Sequence, residues 1–164
     1  MVEFFAWLEQ TRFSVWVRES DSIWAFPMFL FMHTLGMSIV AGGAAVIDFA
    51  LLGLWPDVSL RPLARLYPVL YWGFAINAIT GVAMFMADAT TRGNNTDFYI
   101  KMLFVFAGWY LVIIQRKRVF GDPNLDTGTV SSQAKLLAWA SLACWFAAIV
   151  AGRLIAYVGP VAGL

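Results

Sequence analysis

The stretch FPMFLFMHTLGMSIVAGGAAVI, residues 26–47, contains no Asp, Glu, Lys or Arg. About 20 apolar residues of α-helix cross the hydrocarbon core of a bilayer, so this run is long enough to span one. It also contains His33, the single histidine of the chain. The residues that announce a membrane span therefore also carry an imidazole, a group that oil does not solvate.

The remainder of the 164 residues agrees with the first conclusion. The chain is 61% hydrophobic and 13% charged, with a mean hydropathy of +0.73, whereas soluble domains carry about 25% charged residues. The length predicts one domain, residues 1–164. A net charge of +1 gives no reason to expect a nucleic-acid surface. One cysteine, Cys144, excludes an intrachain disulfide framework and a Cys-rich metal site. Residues 1–21 carry four acids and two arginines and do not read as a signal peptide, which needs an apolar core and a small-residue cleavage site.

Outward from the opening stretch, apolar length predicts four spans at about 23–54, 66–87, 98–115 and 136–158. The opening residues 2–19 mix Phe4, Phe5, Trp7, Leu8, Phe13 and Trp16 with Glu3, Glu9, Arg12 and Arg18. That is too charged to span, and it predicts one amphipathic helix lying along the membrane surface. The fold class expected is all-α: an integral membrane four-helix bundle with an N-terminal surface helix. Short first and second loops make sequential spans antiparallel neighbours.

Lys and Arg in the loops predict the orientation. The first and third loops hold Arg61, Arg65, Arg116, Lys117, Arg118 and Lys135. The other side, outside the spans, holds Arg12, Arg18 and Arg92. Six against three places the first and third loops in the cytoplasm and both termini outside. His33 then lies about 15 Å into the first span at 1.5 Å per residue. Asn77 and Thr80 lie mid-span in the second, Lys101 near the outer start of the third, and Arg153 near the outer end of the fourth with Tyr157 one turn beyond. Asp48, near the inner end of the first span, is expected to pair with Arg65 or Arg61 across the short loop.

Lys101 and Arg153 can be read as interfacial anchors, since long side chains near helix ends snorkel to water. His33 is too deep for that, and an unpaired polar group in an apolar medium costs several kcal/mol, on the order of a lost hydrogen bond or more. Two readings of it stay open. One is an interhelical hydrogen bond to Asn77, Thr80 or a backbone carbonyl. The other is an axial ligand to haem b iron, with proton relay as a lesser alternative. Gly36, at i+3, with Gly42 and Gly43 beyond, would leave room for a flat macrocycle or for a close helix crossing. Lys101 and Arg153 offer cations for haem propionates on the same side, as charge-assisted hydrogen bonds. A single histidine leaves the iron five-coordinate, capped by a methionine such as Met28, Met32, Met84 or Met86, or shared between two protomers.

Zinc, di-metal, Ser-His-Asp, P-loop and dinucleotide patterns are absent. Ala140, Cys144, Ala148 and Gly152 form a small-residue row expected to mark a close helix contact. The tryptophans Trp7, Trp16, Trp24 and Trp55 read as interfacial anchors.

The segments FLFMHTLGMSIVAGGAAVIDFALLGLW, TGVAMFMADA, DFYIKMLFVFAGW and WFAAIVAGRLIAY together resemble a bacterial family of four-helix inner-membrane proteins of unassigned function. The resemblance covers about residues 20–158 and rests on the H-x-x-G, F-x-x-K and G-R-x-x-x-Y pieces. More distantly, the layout is similar to HemJ-type protoporphyrinogen oxidases and CopD-type copper-resistance membrane proteins. HemJ-type proteins are haem-associated, with a histidine in the first helix and a lysine opening the third, which match His33 and Lys101 by position. They carry further histidines that this chain lacks. The resemblance implies a haem-associated membrane protein of the bacterial inner membrane, with oxidase action on a porphyrinogen as a further alternative.

The expectation is therefore a b-type haem protein that passes electrons between a quinone or periplasmic donor and a partner. His33 is the iron ligand, with Gly36, Asn77, Lys101, Arg153 and Tyr157 around it. The contrasting expectation is a cofactor-free accessory subunit. Membrane lipid is a partner in either case, with a homodimer or a larger membrane complex as the assembly left open.

Overall fold

The computed structural model describes residues 2–123, 125 and 130–155. Seven α-helices and one 3₁₀ turn occupy them, with no strand among the described residues: α1 (Val2–Glu9), α2 (Arg12–Glu19), α3 (Phe26–Leu52), α4 (Leu66–Ala87), α5 (Ala89–Gly93), α6 (Thr96–Arg118) and α7 (Ser132–Leu154). Helices α3, α4, α6 and α7 are each long and apolar enough to cross a membrane. The chain is an all-α, multi-pass membrane protein.

Local chemistry sets where these helices stop. Pro27 opens α3, at the turn where a missing backbone N–H does no harm. Gly53 closes it at φ +86. The amide of Gly53 bonds the Ala50 carbonyl at 3.0 Å, and that of Leu54 bonds the Phe49 carbonyl at 3.1 Å, the paired pattern of a Schellman cap. The first span therefore ends at Leu52 rather than at 54, because a residue in the left-handed region terminates the helix whatever the hydropathy beyond it. Asn95 caps α6 by accepting from the Asp97 amide at 2.8 Å, and Arg116, Lys117 and Arg118 complement the dipole at its C-terminal end. Ser131 caps α7 by accepting from the Ala134 amide at 3.2 Å. Helix α7 thus starts four residues before the apolar run does. Residues 156–158 of the expected fourth span lie outside the described residues.

The single surface helix expected over 2–19 is two helices. Thr11 interrupts it by accepting from the Ser14 amide at 3.2 Å, so that α2 starts afresh. The Thr11 and Ser14 hydroxyls both donate to the Leu8 carbonyl, at 3.0 and 2.7 Å, and secure the exposed end of α1. Threonine as a helix-starting cap outcompetes helix continuation here.

In the bundle α3 packs along α4, α6 along α7, and α3 also meets α7. Val40, Ala44, Ile47, Leu51, Tyr67, Leu70, Val112, Ala138 and Trp145 form the core. Two close approaches set its thickness. A Cβ on Gly36 would stand 2.8 Å from both the Asn77 nitrogen and the Gly73 carbonyl oxygen, and one on Gly108 would stand 3.1 Å from the Trp145 ring. On α7 the buried face runs through Ala134, Ala138, Ser141, Trp145, Ala148 and Ala151. Of the expected row of small residues only Ala148 lies in that face, while Cys144 is half-buried. The glycine opposite Trp145 lets an indole occupy the seam that small side chains were expected to fill. Trp72, Ile79, Leu136 and Phe146, each about 70% exposed in the isolated bundle, form the outer face that lipid covers.

Helices α1, α2 and α5 gather at one end of the bundle. Glu9 Oε1 accepts from both the amide and the hydroxyl of Thr90 at 2.6 Å. Arg18 donates to the Ala87 carbonyl at 3.0 Å, and Phe5, Phe85 and Phe98 pack in sequence. This end holds the start of α3 and α6 and the close of α4 and α7.

Candidate functional site

His33 lies seven residues inside α3, about 10 Å from its start at 1.5 Å per residue. Its ring faces α4. Nδ1 is 2.9 Å from the Asn77 carbonyl oxygen and 3.3 Å from the Thr80 hydroxyl. A carbonyl only accepts, so Nδ1 carries the proton and Nε2 is the basic nitrogen. The Thr80 hydroxyl donates to the Ile76 carbonyl at 2.6 Å, which leaves its oxygen to accept from the imidazole. Asn77 answers in the other direction, its side-chain amide donating to the His33 carbonyl at 2.8 Å. Two bonds of opposite sense therefore clasp α3 to α4, the interhelical arrangement expected as one of the two readings of this histidine.

The clasp works because two glycines admit it. Gly36 lets the helices approach until the α4 backbone fills the space beside it. Gly81 leaves room for the imidazole, since a Cβ there would stand 3.0 Å from His33 Cε1. The space beside Gly36 is thus taken by Gly73 and Asn77, and Gly36 acts as the crossing point.

The basic Nε2 faces α6. Lys101 Nζ stands 3.5 Å from it, a contact at the outer limit of hydrogen bonding. The lysine stem passes α7 at Gly152, where a Cβ would meet its Cδ and Cε at 3.5 Å. Among the described residues no carboxylate forms an ion pair with Lys101; the nearby Arg92 is paired with Asp88 at 3.2 Å. His33, Asn77, Thr80 and Lys101 are therefore one connected polar centre, contributed by three spans and shaped by a glycine of the fourth. Arg153 follows Gly152 on α7 and is exposed, and no hydrogen bond joins it to the imidazole. Tyr157 lies outside the described residues.

Gly81 and Gly152 were not singled out in the sequence as site residues. A glycine one turn beyond Asn77 on the His33 side of α4 was the available signal. The contact of Gly152 with the lysine depends on how α7 is rotated, which no local pattern records.

Asp48 does not pair with Arg65 or Arg61. Its Oδ1 accepts from the Gln115 side-chain amide at 2.6 Å, and Arg61 donates to the Pro123 carbonyl at 2.7 Å. The carboxylate points into the bundle, away from the loop that carries the arginines.

The donor set limits which metal species suits the site. Among the described residues no three His, Cys, Asp or Glu side chains converge, so a bare ion would have one imidazole where zinc takes three or four protein ligands. Haem iron brings four nitrogens of its own and asks the protein for only one or two more. A ligating imidazole also commonly donates its other N–H to a carbonyl or carboxylate, as His33 does to Asn77. The residues present fit haem better than a free ion, provided the Lys101 ammonium turns away from Nε2.

No protein-family model matches the chain, and neither a curated protein nor a solved structure shows significant similarity to it.

Proposed function

We propose that the chain is a membrane-embedded b-type haem protein that takes part in electron transfer, with His33 Nε2 as the axial ligand and Lys101 on a propionate. The observation that carries this reading is the orientation of the ring: Nδ1 lies 2.9 Å from the Asn77 carbonyl oxygen, which assigns the proton to it, and Nε2 faces an ammonium that no carboxylate of the described residues pairs with. A propionate would give that ammonium an acidic partner. The four-carbon stem of a lysine permits the turn from imidazole to propionate. Haem would supply the one-electron chemistry, and the protein supplies ligation, burial and electrostatics. By the distribution of Lys and Arg, the His33 end of the bundle faces outward across a bacterial inner membrane, open to a quinone or a periplasmic donor.

One observation favours a second reading, a cofactor-free clasp: both ring nitrogens already have protein neighbours. The visible spectrum of protein purified from cells with ample haem supply separates the two. Haem binding gives a Soret band that His33→Ala abolishes while the helical fold persists. Lys101→Ala and Arg153→Ala weaken haem retention without abolishing the band, and unchanged retention in both removes them from the site. A colourless, folded preparation leaves the clasp as the function of these residues.

A further inference from the structure

A second polar centre lies toward the opposite end of the bundle. Asp48, four residues from the close of α3, is fully buried. Its Oδ1 is bound by Gln115 of α6, but Oδ2 has no hydrogen-bond partner. The Tyr67 hydroxyl of α4 and the Ser141 hydroxyl of α7 are likewise buried without a partner, and both lie near the Asp48 carboxyl. All four spans thus contribute to one enclosed group of oxygens. No Lys, Arg or His of the described residues forms an ion pair with Asp48. The cation on the far side of Tyr67, Arg116, is engaged by the Tyr71 hydroxyl at 2.7 Å and stands 5.9 Å from the Tyr67 ring centre. The side chains that face Asp48 are therefore Tyr67 from α4, Gln115 from α6 and Ser141 from α7, of which only Tyr67 is titratable.

A charged carboxylate that meets only neutral groups, Gln115 at 2.6 Å with the Ser141 hydroxyl beside it, is costly in a membrane interior. Three species could relieve it: a proton, a metal cation or a cationic side chain. The last is absent among the described residues. A hard cation takes six or more oxygens, and here the side chains hold at most five, the two of Asp48 with Gln115 Oε1, Tyr67 and Ser141. Helices α3, α4, α6 and α7 run unbroken past these positions, so their backbone carbonyls are spent on helix hydrogen bonds and are not freed for coordination as they are in broken transporter helices. A proton needs only one oxygen. On Oδ2 it removes the buried charge and makes that oxygen a donor to the Ser141 or Tyr67 oxygen, whereas those hydroxyls donating to an ionised Oδ2 would leave the charge itself uncompensated.

We propose that Asp48 is a proton-binding site: a membrane-buried carboxyl that holds one proton, with Gln115 bound to Oδ1 and the Ser141 or Tyr67 oxygen accepting from the bound O–H. It stands apart from the His33 centre, 15 residues or about 22 Å away along α3, and does not rest on haem binding.

Infrared spectroscopy of the full chain in lipid bilayers, with ¹³C-carboxyl-labelled aspartate, tests this directly. The expected result at neutral pH is a protonated-carboxyl C=O band that shifts with the label and on deuteration, disappears at high pH, and is missing in Asp48→Asn. Asparagine is isosteric with the neutral acid and is expected to fold. Gln115→Leu keeps the band but moves it to higher frequency, because one hydrogen bond to the carbonyl oxygen is gone, so the test survives if Asp48→Asn does not fold. No labelled band in the wild type, or a band that persists in Asp48→Asn, overturns the proposal. A band removed by Na⁺ or K⁺ at constant pH assigns the site to a metal ion and overturns it equally.

Discussion

At the scale of single residues, glycine decides what this bundle can hold. Gly36 and Gly42 sit in the same span and have opposite surroundings. A methyl on Gly36 meets backbone atoms of α4 at 2.8 Å, whereas one on Gly42 meets nothing within 4 Å. Gly36→Ala is therefore expected to lower stability by about 1–3 kcal/mol, the usual cost of overpacking. Gly42→Ala is expected to be neutral or stabilising, since alanine is favoured over glycine in a helix by about 1 kcal/mol. Thermal unfolding in detergent compares the pair, and equal melting points would show that α3 and α4 do not approach this closely. Asn77→Ala removes one bond of the clasp. Interhelical hydrogen bonds in membranes contribute about 0.6 kcal/mol on average, with a maximum near 1.7, so a loss of that order is expected in the same assay, with some addition for the cavity.

At the scale of elements, the two N-terminal helices depend on their docking. Eight residues are too few for a helix stable by itself in water, so α1 owes its form to the contacts of Glu9, Phe5 and the capping around Thr11. The Glu9 carboxylate receives two bonds from Thr90, and a hydrogen bond to a charged group contributes about 1.5–3 kcal/mol. Glu9→Ala should release α1 from α5 and leave the four spans folded. Limited trypsin digestion reports this as faster cleavage after Arg12, with the helical circular-dichroism signal of the bundle little changed. Cleavage at the wild-type rate would mean that the aromatic contacts suffice. The spans tolerate such a change because their own packing lies deeper. Helix α3, at 27 residues and about 40 Å at 1.5 Å per residue, exceeds the roughly 30 Å hydrocarbon core.

At the scale of the whole molecule, the bundle carries one polar centre in each half, with an apolar layer of Val40, Ala44, Leu70 and Val112 between them. The half that holds His33 is proposed to face outward. With Cys144→Ala as background, a cysteine placed at Asn94 should react with a membrane-impermeant maleimide added to intact spheroplasts, and one placed at Asp57 should react only after lysis. Both positions are exposed, and the reverse pattern would invert the topology and put the His33 centre toward the cytoplasm.

Much of this was legible along the chain. Apolar length alone located four spans, because the thickness of a bilayer sets how many residues a crossing helix needs. Depth counted from the span ends put His33, Lys101 and Arg153 in the same half, with Asn77 and Thr80 at mid-span, and a rise of 1.5 Å per residue makes that arithmetic independent of packing. The ends of α4 were legible from the charges at Arg65 and Asp88 that bound its apolar run, whereas Gly53 and Thr11 stop or restart helices that hydropathy would have continued. Rotation about the helix axes was not legible. A span that faces lipid on one side and protein on the other is apolar on both, so it lacks the amphipathic stripe that turns a soluble helix toward its core. For that reason only the tertiary structure decided that Asp48 meets Gln115 instead of an arginine, that Trp145 lies in the α7 seam opposite Gly108, and that the imidazole of His33 stands between a carbonyl of α4 and the ammonium of α6.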